Sequence, residues 1–134
     1  MTAGAQQAPV SHTVQDGETL SQIAQRYRVS TTSLAAHALP EEFKHDRQGY
    51  MRMITDELLP AVAAEKLADF VDVFCETNYF TVTEMERILD AGARYDLRGK
   101  VHVNQFTSLG AVAAAVAHGA LSVDHLEVME EADL

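Results

Sequence analysis

Hydrophobic positions along this chain recur at two spacings, that of a β-strand and that of an α-helix. The change from one spacing to the other predicts where its strands and helices lie. The run Phe70–Cys75 is β-branched and aromatic, which is the composition of a buried strand. Thr81 and Glu84 form a capping-box pattern, and the apolar residues after them recur at helical spacing. Strands separated by helices of this length predict βαβ units and therefore a parallel sheet.

The same patterns predict the other elements from residue 31 onward. The further predicted strands are residues 31–37, 100–106 and 120–125. The further predicted helices are residues 47–59, residues 109–118 with Gly119 as C-cap, and a final piece that begins at Glu127. Pro60 is expected to kink or end the first of these helices, because proline lacks an N–H and clashes with the preceding turn. About four parallel strands result, with the helices on the outside.

The first 31 residues have a different character. Residues 1–11 are rich in Ala and Gln and show no periodicity, so we expect a flexible tail. A short extended run then ends at the turn pair Asp16-Gly17, and a segment with apolar residues at helical spacing follows. Residues 12–31 are therefore predicted to form a strand, a tight turn and an amphipathic helix.

Charge marks a boundary at the same place. The 134 residues carry 20 Asp and Glu against 10 Lys and Arg, a formal net charge of −10. Residues 1–38 are balanced, so the whole acidic excess lies after them. This excess argues against a nucleic-acid partner, and no apolar stretch approaches the roughly 20 residues of a membrane span. No secretory signal is visible, and the lone Cys75 fits a reducing compartment.

Histidines at strand ends are the strongest candidates for chemistry. His37, His102 and His125 lie at or near the carboxyl ends of predicted strands, where α/β folds gather their polar working residues. On neighbouring strands they would face one pocket. A metal site and a set of hydrogen-bonded strand-end histidines both remain open, because spacing alone does not distinguish them. Polar residues at the same ends could orient a histidine or satisfy a loop: Glu76, Asn104 and Asp124.

Five ordered sequence blocks resemble imidazolonepropionase, a metal-dependent amidohydrolase of histidine breakdown. They are Ala36-His-Ala-Leu-Pro40, Leu59-Pro-Ala-Val-Ala-Ala64, Val71-Asp-Val-Phe-Cys-Glu76, Lys100-Val-His-Val-Asn-Gln-Phe106 and Gly119-Ala-Leu-Ser-Val-Asp-His-Leu126. The resemblance covers about residues 32–134. It implies a (β/α)8 barrel that opens an imidazolone ring by attack of water to give formiminoglutamate. A chain of this length supplies only about half of such a barrel.

The resemblance also implies roles for individual residues. His102 matches a metal ligand on the fifth strand, and His125 matches the sixth-strand histidine beside the reacting centre. His37 matches a histidine that contacts the substrate, and Gln105 falls near the ring. Zinc or iron would be the cofactor. The family's first-strand His-x-His pair and eighth-strand Asp have no counterpart, so we expect weak metal binding and little or no hydrolase activity.

The run His12–Leu39 resembles the front of a LysM module, a small domain that binds glycans containing N-acetylglucosamine. The resemblance implies that Asp16, Gly17, Glu18 and Thr19 help to line its groove. The closing strand of LysM and its usual Asn-rich lead are missing. This part provides an alternative function, the binding of chitin or peptidoglycan, and the junction also raises the possibility of a truncated or engineered chimera without activity.

The two resemblances compete for residues 32–38, which would be a helix in LysM and a strand in the barrel. We favour the strand, because Pro40 and the block around it accompany it. The predicted organisation is a tail at 1–11, a LysM-like strand and helix at 12–31, and a half-barrel at 32–134. Open sheet edges predict self-association. One resemblance indicates the cytoplasm, and the other indicates the cell wall or the extracellular space.

Overall fold

A computed structural model describes residues 33–134 of the chain. The predicted tail and the LysM-like strand and helix lie outside the described residues. The same is true of the predicted glycan-binding residues Asp16, Gly17, Glu18 and Thr19.

Four parallel strands form the sheet of the described region. They are β1 (Ser33–Ala36), β2 (Phe70–Cys75), β3 (Arg98–Val103) and β4 (Ser122–His125), arranged in the order β1-β2-β3-β4. Each strand pairs with the next one along the chain, as right-handed crossovers produce. The predicted α/β fold with parallel strands is confirmed, and the contested segment 32–38 contains a strand.

Helices connect these strands. They are α1 (Arg47–Arg52), α2 (Leu59–Ala64), α3 (Val82–Ala93) and α4 (Ala111–Ala117), with short 3-10 turns at Glu41–Phe43 and Glu131–Asp133. The predicted capping box opens α3: the backbone N–H of Glu84 donates to Thr81 Oγ1, and the backbone N–H of Thr81 donates to Glu84 Oε2. Two of the four orphan N–H groups at this helix start are therefore satisfied by one pair of side chains.

Pro60 does not end the first long helix, so of the two predicted effects, a kink or an end, the end is wrong. A π-helical segment, Met53–Leu58, joins α1 directly to α2, and Pro60 lies in the first turn of α2. The backbone N–H of Leu59 bonds to the carbonyl of Ile54, five residues back. One residue is thereby added to the turn, and Leu59 rather than Leu58 is fully buried in the core.

The predicted helix from Glu127 is also wrong. The backbone N–H of Val128 donates to the carbonyl of Asn104 at 2.9 Å, so the chain after β4 continues along the end of β3. Helical structure is confined to the 3-10 turn Glu131–Asp133, where the Asp133 carboxylate accepts from the backbone N–H of Glu130.

The two faces of the sheet differ. Val71 and Val73 of β2 and Val101 and Val103 of β3 are fully buried in the hydrophobic core, against residues of the helices. Because side chains alternate along a strand, the opposite face carries the intervening residues: Phe70, Asp72, Phe74, Lys100 and His102. No helix among residues 33–134 is long and apolar enough to cross a membrane.

Candidate functional site

A cavity of about 210 Å³ lies at the carboxyl edge of the sheet. It is lined by His37, Phe74, His102, Gln105 and His125. The ring centroids of His37 and His102 are 5.1 Å apart, and those of His102 and His125 are 5.4 Å apart. The structure thus brings together all four of the site residues that the sequence suggested for the barrel-like part.

The carboxylate of Asp72 contacts two of these histidines. Asp72 is not among the site residues predicted from the sequence. Its Oδ1 lies 2.8 Å from Nδ1 of His102, and its Oδ2 lies 3.2 Å from Nε2 of His37. The residue is only 8% exposed. An aspartate in the middle of the otherwise apolar run Phe70–Cys75 is the signal that could have found it, because a buried carboxylate needs partners.

The charge of Asp72 faces histidines rather than a fixed cation. In strand register Asp72 is opposite Lys100, but Lys100 Nζ lies 4.8 Å from the centroid of the Phe70 ring. Within residues 33–134, the basic side chains that lie within 4 Å of the Asp72 carboxylate are those of His37 and His102. The arrangement can therefore hold a proton on either ring or exchange ring protons for a metal ion.

His125 reaches the cavity through an unusual backbone conformation. It is paired with Val103, whose side chain is in the core, so regular alternation would send the His125 side chain toward the core as well. Instead His125 has φ +78° and Leu126 has φ +64°, both in the left-handed region. Such conformations cost energy in residues with a Cβ and tend to occur at functional sites. The His125 ring lies 6.2 Å from Phe74 and its Nδ1 is 3.3 Å from Glu127 Oε1.

Glu76 fixes the loop that carries Gln105. Its carboxylate accepts hydrogen bonds from the backbone N–H of Phe106 and from the backbone N–H and hydroxyl of Thr107, as well as from the backbone N–H of Thr77. Burial raises the pKa of Glu76, but these hydrogen bonds outweigh burial and bring the pKa to about 2. Glu76 therefore accepts hydrogen bonds from loop residues and does not orient a histidine.

The other polar strand-end residues do not orient histidines either. Asn104 donates from Nδ2 to Asp133 at 3.0 Å, and Asp124 accepts from the hydroxyl of Ser122. His118 lies at the end of α4 with Nδ1 2.8 Å from Asp90, outside the cavity. Cys75 is fully buried, and burial followed by the charge of Glu76 raises the pKa of its thiol to about 12, so the thiol is inert.

A larger cleft of about 550 Å³ lies beside the start of α3 and does not include the histidines. Its Arg47 is engaged by Glu84, with Nη2 2.7 Å from Oε2. The cleft is larger, but the 210 Å³ cavity holds the converging ionisable groups, so we identify the smaller one as the candidate site.

The fold and this cavity define a parallel α/β segment with a histidine cluster at the carboxyl ends of its strands. Comparison with known proteins shows what this chain is similar to. The chain is 50% identical over 107 residues to imidazolonepropionase of Flavobacterium psychrophilum, 49% over 106 residues to that of Christiangramia forsetii, and 47% over 104 residues to that of Cupriavidus taiwanensis. These matches cover 78–80% of this chain but only 25–26% of the relatives. The predicted resemblance is confirmed, and the chain spans about a quarter of the length of the curated relatives it matches.

The second predicted resemblance is confirmed as well. The LysM domain family matches residues 12–37. This match extends beyond residue 31 and overlaps β1 (Ser33–Ala36), so the two similarities meet in the segment for which they imply different structures.

Proposed function

We propose that this chain is a segment of an imidazolonepropionase-like hydrolase, which opens a cyclic amide ring by attack of water. The convergence of His37, His102 and His125 on one cavity is the observation that carries this proposal. Identity of 46–50% to three imidazolonepropionases over 79–86% of the chain supports it. The substrate class would be a small imidazolone, and the product would be formiminoglutamate.

The cavity residues have chemistry suited to such a ring. His125 and Gln105 would act at the reacting centre: the imidazole can hold or relay a proton, and the side-chain amide can both donate to and accept from ring atoms. His37 would contact the substrate. Glu76 would keep the Gln105 loop in place through its bonds to Phe106 and Thr107.

The residues present fit a metal ion in their donor chemistry. His102 would be a ligand, and two imidazole nitrogens and a buried carboxylate lie within 4.8 Å of one another at the cavity. A bound zinc or iron ion would supply Lewis-acid activation of water near neutral pH.

We further propose that the four strands are half of a (β/α)8 barrel and that the chain alone has no turnover, because it lacks the His-x-His pair and the eighth-strand Asp of the family. The test is ring opening by the full chain with added zinc or iron. We expect no turnover above the rate without protein. Turnover that is abolished in His102→Ala would contradict the proposed inactivity.

Self-association follows from the open sheet. Within the described residues β1 and β4 are the outer strands, and each has one edge without a strand partner. Phe106 is 63% exposed near the cavity, and unpaired edges and exposed apolar side chains favour pairing with a second copy. Light scattering should give a mass above that of the 14.7 kDa monomer. A monodisperse monomer would count against this assembly.

The LysM match favours a second candidate function, the binding of glycans that contain N-acetylglucosamine. Asp16, Gly17, Glu18 and Thr19 would line the groove. Sedimentation with insoluble chitin or peptidoglycan tests it, and full recovery of the protein in the supernatant would reject it. The hydrolase segment would act in the cytoplasm, whereas a working LysM part would place the chain in the cell wall or outside the cell. An engineered or truncated chimera would show neither activity.

A further inference from the structure

We propose that His37, Asp72 and His102 form a three-ligand site for a divalent transition metal, and that this chain binds the metal without the rest of a barrel. The inference rests on the proposed function only in placing the metal at the same cavity. Its ligand set is different from the one implied by the family, since His102 alone is common to both.

The donor atoms are already placed for one small ion. Nε2 of His37 and Nδ1 of His102 approach opposite oxygens of one carboxylate, at 3.2 and 2.8 Å. A tetrahedral zinc ion with bonds of roughly 2.0–2.2 Å separates its ligand atoms by about 3.3–3.5 Å. Because the donor atoms of the three residues lie within 4.8 Å of one another, metal binding would need shifts of up to about 1.5 Å between side chains that already converge.

The chemistry of the set matches zinc and related ions. Two imidazoles and one carboxylate are borderline donors that zinc, iron and cobalt accept. In the metal-free arrangement each ring can donate an N–H to Asp72. On metal binding, each ring would move its proton to its other nitrogen and offer a lone pair at the nitrogen that faces the carboxylate.

The surroundings allow a metal to enter and leave a position open. The side chain of His37 is 45% exposed and that of His102 is 27% exposed, whereas the carboxylate that would anchor the ion is largely buried. The three ligands would leave one coordination position free, and the cavity that His37 and His102 line is also lined by Gln105 and His125. Three protein ligands with one open position are typical of reactive rather than structural zinc sites.

Ligation by His37 would also contribute to the proposed absence of turnover in the isolated chain. The resemblance assigns His37 to the substrate, but Nε2 of its ring would be used by the metal here. The chain would then bind metal while it lacked one of its substrate contacts.

The test is a titration of the full chain with Co²⁺, followed by its visible ligand-field absorption and by competition with Zn²⁺. We expect one Co²⁺ per chain. His37→Gln, Asp72→Asn and His102→Gln should each raise the dissociation constant more than about 10-fold, the lower end of what loss of a supporting residue costs. His118→Gln is the matched control, because His118 also contacts two carboxylates, Glu86 and Asp90, but lies outside the cavity. The dissociation constant of His118→Gln for Co²⁺ should equal that of the wild type.

His37→Gln is the decisive variant, because its exposed side chain can be replaced without disturbing the core. Undiminished Co²⁺ binding in His37→Gln would overturn the three-ligand site, as would a wild-type chain that binds no Co²⁺. For each variant, the rise in melting temperature on adding Zn²⁺ is compared with that variant's own metal-free value, so a loss of stability is not mistaken for a loss of ligation. None of these readouts depends on ring opening, so failure of the site and failure of the proposed hydrolase function are separate results.

Discussion

The carboxylate of Glu76 accepts a hydrogen bond from the backbone N–H of Phe106 at 2.9 Å, and so the end of β2 holds the loop that follows β3. Glu76 is 2% exposed and has no cationic partner within salt-bridge distance in the described residues. Backbone and hydroxyl donors alone stabilise its charge. The shape of the histidine cavity therefore depends on a residue that does not line it.

We predict that Glu76 makes the folded state sensitive to acid. Because its folded-state pKa of about 2 is below the ordinary value of 4.5, its contribution to stability is present above about pH 4.5 and is lost as the pH falls toward 2. Allowing for solvent screening, we expect about 1–2 kcal/mol. Urea unfolding at pH 7 and pH 3 should show this loss in the wild type and a smaller one in Glu76→Gln. An equal pH dependence in both proteins would contradict the role of Glu76.

The pair formed by Arg47 and Glu84 joins α1 to the start of α3. Arg47 Nε lies 2.5 Å from Glu84 Oε1, and Glu84 also completes the capping box with Thr81. Glu84→Ala removes both interactions and leaves Arg47 with only the carbonyl of Tyr79 as a partner, so we expect a loss of about 2–4 kcal/mol in the free energy of unfolding. Denaturant unfolding measures it.

Lys44→Met is the control for that measurement. It breaks the ion pair of Lys44 with Glu41, in which both side chains are mostly exposed, and should change stability by less than about 0.5 kcal/mol. Similar losses of stability in Glu84→Ala and Lys44→Met would mean that burial and capping do not strengthen the interaction of Arg47 with Glu84.

Gly92 permits α3 to approach the sheet closely. A Cβ at this position would lie 2.7 Å from Val71 Cγ1 and 3.3 Å from the carbonyl oxygen of Leu97. Gly-to-Ala changes inside helices usually stabilise by up to about 1 kcal/mol, but here the overlap should reverse the sign. We expect Gly92→Ala to lose about 1–3 kcal/mol in thermal or denaturant unfolding. Thr83→Ala, on the exposed side of the same helix, should be nearly neutral, and a stabilised Gly92→Ala would contradict the packing described.

Local patterns were sufficient to predict much of the fold. The β-branched run of β2, the capping box of α3 and the glycine after α4 each depend on neighbouring residues, and each lies where the sequence indicates. The π-helical segment could not be predicted, because the local pattern does not say that Leu59 rather than Leu58 is fully buried in the core. The end of the chain was mispredicted for a similar reason: Val128 bonds to Asn104, a partner 24 residues earlier in the chain.

The candidate site was predicted only in part. His37, His102 and His125 were expected at strand ends because parallel strands place their carboxyl ends at one edge. Asp72 was missed because it lies in the middle of β2, and nothing in the sequence says that its carboxylate is within 3.2 Å of two histidines on the neighbouring chain segments. The left-handed backbone conformation of His125 could not be predicted either, since a positive φ at a histidine is a consequence of tertiary contacts.

Grafting tests most directly whether this chain contributes the histidine cavity of an imidazolonepropionase-like enzyme. In the Flavobacterium psychrophilum protein, the 107 aligned residues would be replaced by those of this chain, and ring opening of the imidazolone would be measured. We predict that the graft retains ring opening, that His102→Ala in the graft abolishes it, and that His118→Gln leaves it unchanged. A folded graft without activity, or one whose activity survives His102→Ala, would contradict the account.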